Sequence, residues 1–206
     1  MNKTLNTLFG ALLLTGSVSA FAASSVDLTV TGMITPSACE PTLSSGGLVD
    51  YGKISAKDLN ADRVTYLPTQ TVQLSLTCDA PTSVALEAKD NRAGSSWNSL
   101  ETYGLGMINT TEKLGAMELK LSSATADGVV VSTIGSVDQG NTWVKETGFF
   151  TDNILAVAVP GTLTPIMVQQ LNADLNIHPE IAPTKDLTLT NEVAIDGSVT
   201  LSVVYF

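Results

Sequence analysis

Histidine occurs once in this chain, at position 178, and cysteine twice, at 39 and 78. A single imidazole, set between Ile177 and Pro179, leaves almost no general base to activate a Ser, Thr or Cys nucleophile. His178 therefore reads as an ordinary loop histidine following a strand. Two thiols and one imidazole at these spacings cannot close a tetrahedral zinc site either. Basic residues are also scarce, 10 Lys and Arg against 20 Asp and Glu, for a formal charge of −10. That balance argues against nucleic acid and anionic membrane as partners, since both recruit through Lys and Arg. The glycine-rich phosphate loops and the Gly-x-Ser-x-Gly nucleophile elbow are missing; Ser44-Ser45-Gly46-Gly47 has neither spacing. No cofactor, no metal and no catalytic residue is expected, and the chain does not read as an enzyme.

Carboxylates are the remaining chemistry. Asp58 with Asp62, or Asp50 with Asp90, offers a glycosidase-like pair, but sugar-stacking aromatics do not accompany them. Asp58, Asn60 and Asp62 alternate as calcium-loop ligands do, without the sixth-position Gly or the distal Glu. Both sets read as solvated surface. Tyr103-Gly104-Leu105-Gly106 reads as a turn or bulge. Trp97 and Trp143 lie in polar, turn-rich stretches and read first as caps on a sheet edge, and second as contacts for a ligand.

What is present begins with a targeting segment at residues 1–22. Lys3 supplies a positive start, and residues 5–14 supply an apolar stretch with Leu8, Phe9, Leu12 and Leu13. Gly16 and Ser17 break it. Ala20-Phe21-Ala22 places small residues where a signal peptidase reads, so cleavage is expected after Ala22, with Ala20 and Ala23 as neighbouring alternatives. The run is too short to cross a hydrocarbon core of about 30 Å. No other stretch is long and apolar enough, so the mature form, residues 23–206, is expected off the membrane, in the periplasm or at the cell surface. In that oxidising setting, Cys39 and Cys78 read as a disulfide.

Period-two alternation of apolar and polar residues dominates the rest. Val26, Leu28, Val30 and Ile34 share one face of a first strand. Val72, Leu74, Leu76 and Cys78 share another. Val84, Leu86 and Ala88 follow, then Met117, Leu119 and Leu121, then Val129 to Val131 after the Asp127-Gly128 turn. Residues 154–159 form a nearly continuous apolar run closed by Pro160-Gly161, which suits a strand buried on both faces. The last alternation is the longest: Val193, Ile195, Gly197, Val199, Leu201, Val203 and Tyr205. A strand this regular is expected inside the sheet, with Tyr205 packed on the core. Short strands separated by Gly, Asn, Asp and Pro turns imply one antiparallel β-sandwich domain over residues 23–206. A few turns of helix are allowed at residues 55–63 or 169–176. Neither carries the fold.

Two segments resemble the subunits of chaperone–usher pili: Val30-Thr31-Gly32-Met33-Ile34 with Ala38-Cys39 and the later Cys78, and the final alternation ending in the penultimate Tyr205. The resemblance is closer to the GltF-like family of uncharacterised exported proteins. It rests on Gly32-Met33-Ile34-Thr35-Pro36-Ser37-Ala38-Cys39-Glu40-Pro41, Gly46-Gly47-Leu48-Val49-Asp50-Tyr51-Gly52-Lys53 and Thr77-Cys78-Asp79-Ala80-Pro81-Thr82. Lys89-Asp90-Asn91-Arg92, Tyr103-Gly104-Leu105-Gly106, Lys113-Leu114-Gly115-Ala116, Leu163-Thr164-Pro165 and Asp196-Gly197-Ser198-Val199-Thr200-Leu201-Ser202-Val203-Val204-Tyr205 extend it over most of the chain. The resemblance implies an immunoglobulin-like, pilin-type sandwich with one disulfide, either incomplete or self-complemented. It also implies a fimbrial-like subunit whose partners are a periplasmic chaperone and other such subunits.

Pilins carry a donor strand of ten or more residues ahead of their first core strand, and here only residues 23–27 precede it. Either residues 26–34 are themselves donated, or the subunit only accepts a strand, or the fold completes itself. The expected partner-binding positions are Val26, Leu28 and Val30 at the start and Val199, Leu201, Val203 and Tyr205 at the end. The alternative is a self-contained binding module, with Trp97 and Trp143 beside its ligand. Length beyond a minimal pilin is expected in residues 93–111 and 138–152.

Overall fold

The protein is described by a computed structural model, which covers residues 28–29, 38–99 and 101–206. The compact unit Thr35–Phe206 is all-β, built from two antiparallel sheets with a common core between them. Eight strands carry it: β1 (Cys39–Leu43), β2 (Gln70–Thr82), β3 (Val84–Asp90), β4 (Gly115–Ala126), β5 (Ser132–Ser136), β6 (Ile154–Ala158), β7 (Val168–Ile181) and β8 (Val199–Tyr205). The larger sheet runs β1-β2-β7-β4 and ends on the two-residue strand Gly148–Phe149; the smaller runs Val144–Lys145, then β5-β6-β3-β8.

The alternation read from sequence is the alternation of burial. In β2, Val72, Leu74, Leu76 and Cys78 are buried while Thr71, Gln73 and Thr77 face out. In β3, Val84, Leu86 and Ala88 enter the same core from the opposite sheet. Truncating a fully buried leucine such as Leu74 would leave a void costing about 2–5 kcal/mol. Long strands need breaks to stay wrapped on a twisted sandwich, and β4 contains one. Its register against β7 shifts between Asn172 and Asp174, with Ser123 at φ 53°. This extra residue lets Leu121 and Ala124, three apart, both point inward. Asp127 and Gly128, at φ 50° and 81°, form the tight turn that folds Val129–Val130 back onto β4.

β6 is buried on both faces, as its continuous apolar run predicts. Leu155 and Val157 enter the main core, while Ile154, Ala156 and Ala158 join Ala85 and Ile134 in a second cluster. Trp143 and Val204 pack on that second cluster from above.

Several expectations fail. Residues 169–176 are not helical; they lie inside β7, whose buried Leu171, Ala173, Leu175 and Ile177 follow period two. His178 is likewise in β7 rather than a loop, half-buried, with its Nδ1 2.9 Å from Thr69 Oγ1. Residues 55–63 contribute only the short 3₁₀ turn Ala56–Asp58. Tyr103–Gly104 is a short strand on β4, not a turn, although the chain does turn at Gly106 with φ 92°. The space explains the glycine at 104: a Cβ there would sit 1.9 Å from Ser95 Oγ. The regions 93–111 and 138–152 hold short strand pieces, and each contributes a buried aromatic ring, Tyr103 and Phe149.

Candidate functional site

The final strand is seven residues long, beginning at Val199 rather than Val193. Two contacts pull the chain away from the sheet just before it. Asp196 N–H donates to Leu105 O at 3.0 Å, and its carboxylate takes a two-pronged hydrogen bond from Arg92, Nε to Oδ2 at 2.8 Å and Nη2 to Oδ1 at 2.7 Å. That hydrogen bond holds the Asp196 carboxyl below its ordinary range, although desolvation opposes it. At residue 197 the backbone passes so close to Leu105 that a Cβ would lie 2.9 Å from Leu105 Cδ2.

β8 also lies at an edge and not inside the sheet. It pairs with β3 from Val199↔Asp90 to Tyr205↔Val84, and among the described residues its other side has no partner strand. Among the described residues the edge strand of the larger sheet that reaches it is β1, through Cys39. Val199, Leu201 and Val203 point into this seam and pack against the main core, yet each is only half-buried. Beneath them lies a cavity of about 260 Å³ whose walls include Leu43, Val72, Leu119, Leu175, Val199 and Leu201. Tyr205 is 38% exposed rather than packed on the core. Its hydroxyl accepts the Cys39 N–H at 2.9 Å, which bridges the two edges at one end of the seam.

Edges of β-sheets invite strand addition unless they are guarded by charge, proline or shortness. β1 has Glu40 and Pro41. The far edge of the smaller sheet is only Val144–Lys145. β8, with the sequence VTLSVVY, has seven residues, no charge and no proline.

The remaining sequence-derived positions are distributed elsewhere. Cys39 and Cys78 are directly opposite in the β1–β2 ladder and form the disulfide, with Cα atoms 4.0 Å apart. Val26 and Val30 lie outside the described residues; Leu28 is 89% exposed. Trp143 rests on Phe206, ring centroids 5.5 Å apart. Trp97 is half-buried near β4, its backbone N–H donating to Gly115 O at 3.2 Å. The two indoles do not share a site. Asp50 accepts the Gly52 N–H, and Asp90 those of Arg92 and Gly104, so both carboxylates order local turns. Among the described residues, no three His, Cys, Asp or Glu side chains come together as metal ligands.

A second, larger cavity was not foreseen. It has a volume of about 650 Å³ and lies between residues 49–59 and 189–195, with Leu114 and Ile181 in its walls. Alternation gives no signal for it, because both enclosing segments lack regular secondary structure beyond the one 3₁₀ turn Ala56–Asp58. Val49-Asp50-Tyr51-Gly52-Lys53 was legible only as part of a resemblance.

Comparison with known proteins bears on the resemblance. The chain is similar to Protein GltF of Escherichia coli (strain K12), 27% identical over an alignment 237 positions long, gaps included, that covers 92% of this chain and 93% of that protein. It is similar also to the Uncharacterized protein YhcF of the same organism, 25% identical over an alignment 238 positions long, gaps included, covering 94% of this chain and 98% of that protein. Residues 28–125, which contain the disulfide and β1 to most of β4, match the family described as "Protein of unknown function (DUF1120)".

Proposed function

We propose that this protein is a fimbrial-like structural subunit, exported to the periplasm or cell surface, which joins its partners by accepting a β-strand along β8. The observation that carries the reading is the unguarded edge. β8 pairs on one side only among the described residues, and its inward Val199, Leu201 and Val203 stay half-buried above an apolar cavity. An incoming strand gains main-chain hydrogen bonds along the free edge, and its alternate side chains fill the space between the sheets. A periplasmic chaperone would occupy the edge first, and another subunit later. Tyr205 closes the seam at the Cys39 end and sets where such a strand stops.

The test has two arms. Leu201→Asp puts a charge into the seam; chaperone capture should be lost while export continues, and unchanged capture would sink the proposal. Refolding the oxidised chain alone, followed by size-exclusion chromatography and melting, asks whether the fold needs a strand. Folding rescued by a peptide of residues 26–34 or by a chaperone supports assembly. A cooperative monomer without either supports the second reading, a self-contained binding module, which the 650 Å³ cavity favours.

A further inference from the structure

The parity of β8 decides which of its main-chain groups are free. Just beyond the pair Val199↔Asp90, the Asn91 N–H donates to Ser198 O at 2.9 Å. Successive residues of an antiparallel strand point their N–H and C=O groups to opposite sides. The register with β3 is unbroken, so Ser198, Thr200, Ser202 and Val204 bond to β3. Val199, Leu201, Val203 and Tyr205 turn both groups toward the open side. The side chains divide the same way. Val199, Leu201 and Val203 pack on the main core, while Thr200 and Ser202 face solvent on the outer face.

A strand that adds here has to offer free main-chain groups at every second residue and apolar side chains on its inner face. β8 itself does both. Turned about a two-fold axis at Ser202, it sets Leu201 opposite the partner's Val203 and Val199 opposite the partner's Tyr205. These are the residues whose main-chain groups are free, so each pair exchanges two hydrogen bonds and no edge group is left over. On the outer face, Thr200 meets the partner's Val204, and Ser202 meets the partner's Ser202 on the axis. Inner side chains thus meet inner ones, as the pleat requires. Displacement by one residue would set free groups against groups already bonded to β3. Displacement by two would leave one end of the strand unpaired.

Charge does not oppose this pairing. The chain is acidic overall, with 20 Asp and Glu against 10 Lys and Arg, but β8 has no charged residue. On β3, the outward Glu87 stands opposite Ser202 and Lys89 opposite Thr200. The two copies of Glu87 would lie three strand spacings apart, about 14 Å. That exceeds the screening length of roughly 8 Å at physiological salt.

We infer that two copies of this chain pair antiparallel along β8, joining their smaller sheets edge to edge about a two-fold axis at Ser202. The inference rests on the reading of β8 as an edge open to strand addition, and it names a second copy as what covers that edge before another partner does. The join involves one sheet only, since β1 presents Glu40 and Pro41. Two seven-residue strands bury less than the roughly 1,200 Å² of a stable interface. The dimer is therefore weak and gives way to a chaperone or subunit strand.

Sedimentation of the oxidised chain over a range of concentrations should show a reversible monomer–dimer equilibrium. A single cysteine tests the register, because both native thiols are in the disulfide. Ser202→Cys puts two thiols on the axis, in a pair without direct hydrogen bonds whose Cα atoms lie about 4.5 Å apart. That is within disulfide reach, so mild oxidation should cross-link this variant at least about tenfold faster than Thr200→Cys, whose thiol meets Val204. Ser202→Glu and Ser202→Lys each set like charges face to face, and each alone should dimerise about fivefold more weakly than the parent. Mixed together, the two should restore the dimer, and salt should abolish the difference. A parent monomeric at every concentration, equal cross-linking of the two cysteine variants, or no preference in the mixture would overturn the inference. A peptide of residues 26–34 should dissociate the dimer; a peptide bound with the dimer intact places the join elsewhere and overturns it too. A monomeric parent that still captures the peptide or a chaperone leaves strand addition at β8 standing without the dimer. One that captures neither removes the reading beneath it as well.

Discussion

The penultimate residue of the chain is hydrogen-bonded to the first residue of the core: Tyr205 Oη accepts the backbone N–H of Cys39 at 2.9 Å. This single contact ties the edge of the smaller sheet to the edge of the larger, beside the disulfide. Tyr205→Phe keeps the ring and removes the acceptor. The variant should lose about 1 kcal/mol of stability, the usual net worth of such a bond. Chemical denaturation of parent and variant measures it, and equal midpoints would mean that the two edges are held together by packing alone.

The disulfide should matter more. It closes a separation of 39 residues, so in the chain-entropy account its loss frees the unfolded state by about 4 kcal/mol. Replacing both Cys39 and Cys78 with Ala should lower the urea midpoint accordingly, and dithiothreitol should lower the parent toward the same value. A parent indifferent to reduction would show that the β1–β2 ladder holds the staple's ends together without it.

Where side chains alternate against a core, the sequence could be read directly; where conformation depends on distant backbone, it could not. β2, β3 and β6 follow their patterns because each inward residue meets the other sheet. The last strand shows the limit. Val193, Ile195 and Gly197 continue the period of Val199 to Tyr205, yet the chain leaves the sheet there. The cause is Arg92, over a hundred positions away, which holds Asp196. At residues 169–176, Gln169-Gln170 and the mixed run after them satisfy weak helical spacing, while pairing on both sides by β2 and β4 decides for strand. The β8 residues expected to meet partners were legible by position, but their place at an edge was not, since strand order is a property of the assembled sheets. The larger cavity leaves no trace in periodicity, being lined by two irregular segments far apart in the sequence.

Gly115 tests how tightly those long-range contacts are set. A Cβ at this position would lie 2.1 Å from Glu180 O, a backbone atom in the middle of the larger sheet that cannot swing aside. Gly115→Ala should therefore force the β4–β7 ladder apart and cost about 3 kcal/mol or more, at the upper end of overpacking penalties. Gly128→Ala is the control, since nothing lies within 4 Å of its Cβ position. Its only penalty is a positive φ, about 1 kcal/mol. If the two variants melt together, the close approach at Gly115 is not a constraint in solution.

Two carboxyl groups should give the stability curve opposite slopes in acid. Hydrogen bonds from Thr142 and Ser136 hold Asp138 down to about 2, against a small opposing effect of desolvation. A carboxyl whose folded pKa is depressed contributes its stability above the unfolded value and loses it as pH falls toward the folded one. Asp138→Ala should thus be less stable than the parent at neutral pH, and the gap should close between about pH 4 and 2. Glu180 behaves the other way. Burial first, and Glu118 second, push its pKa above the ordinary carboxylate range, so its ionised form opposes folding at neutral pH. Glu180→Gln keeps an oxygen to accept from Asn98 Nδ2 and should be more stable than the parent at pH 7. That advantage should vanish as pH falls through the raised pKa and the parent's Glu180 takes up its proton. Denaturation midpoints measured from pH 2 to pH 7 separate the two effects. A Glu180→Gln advantage that persisted at pH 3 would mean that charge is not what makes Glu180 unfavourable there.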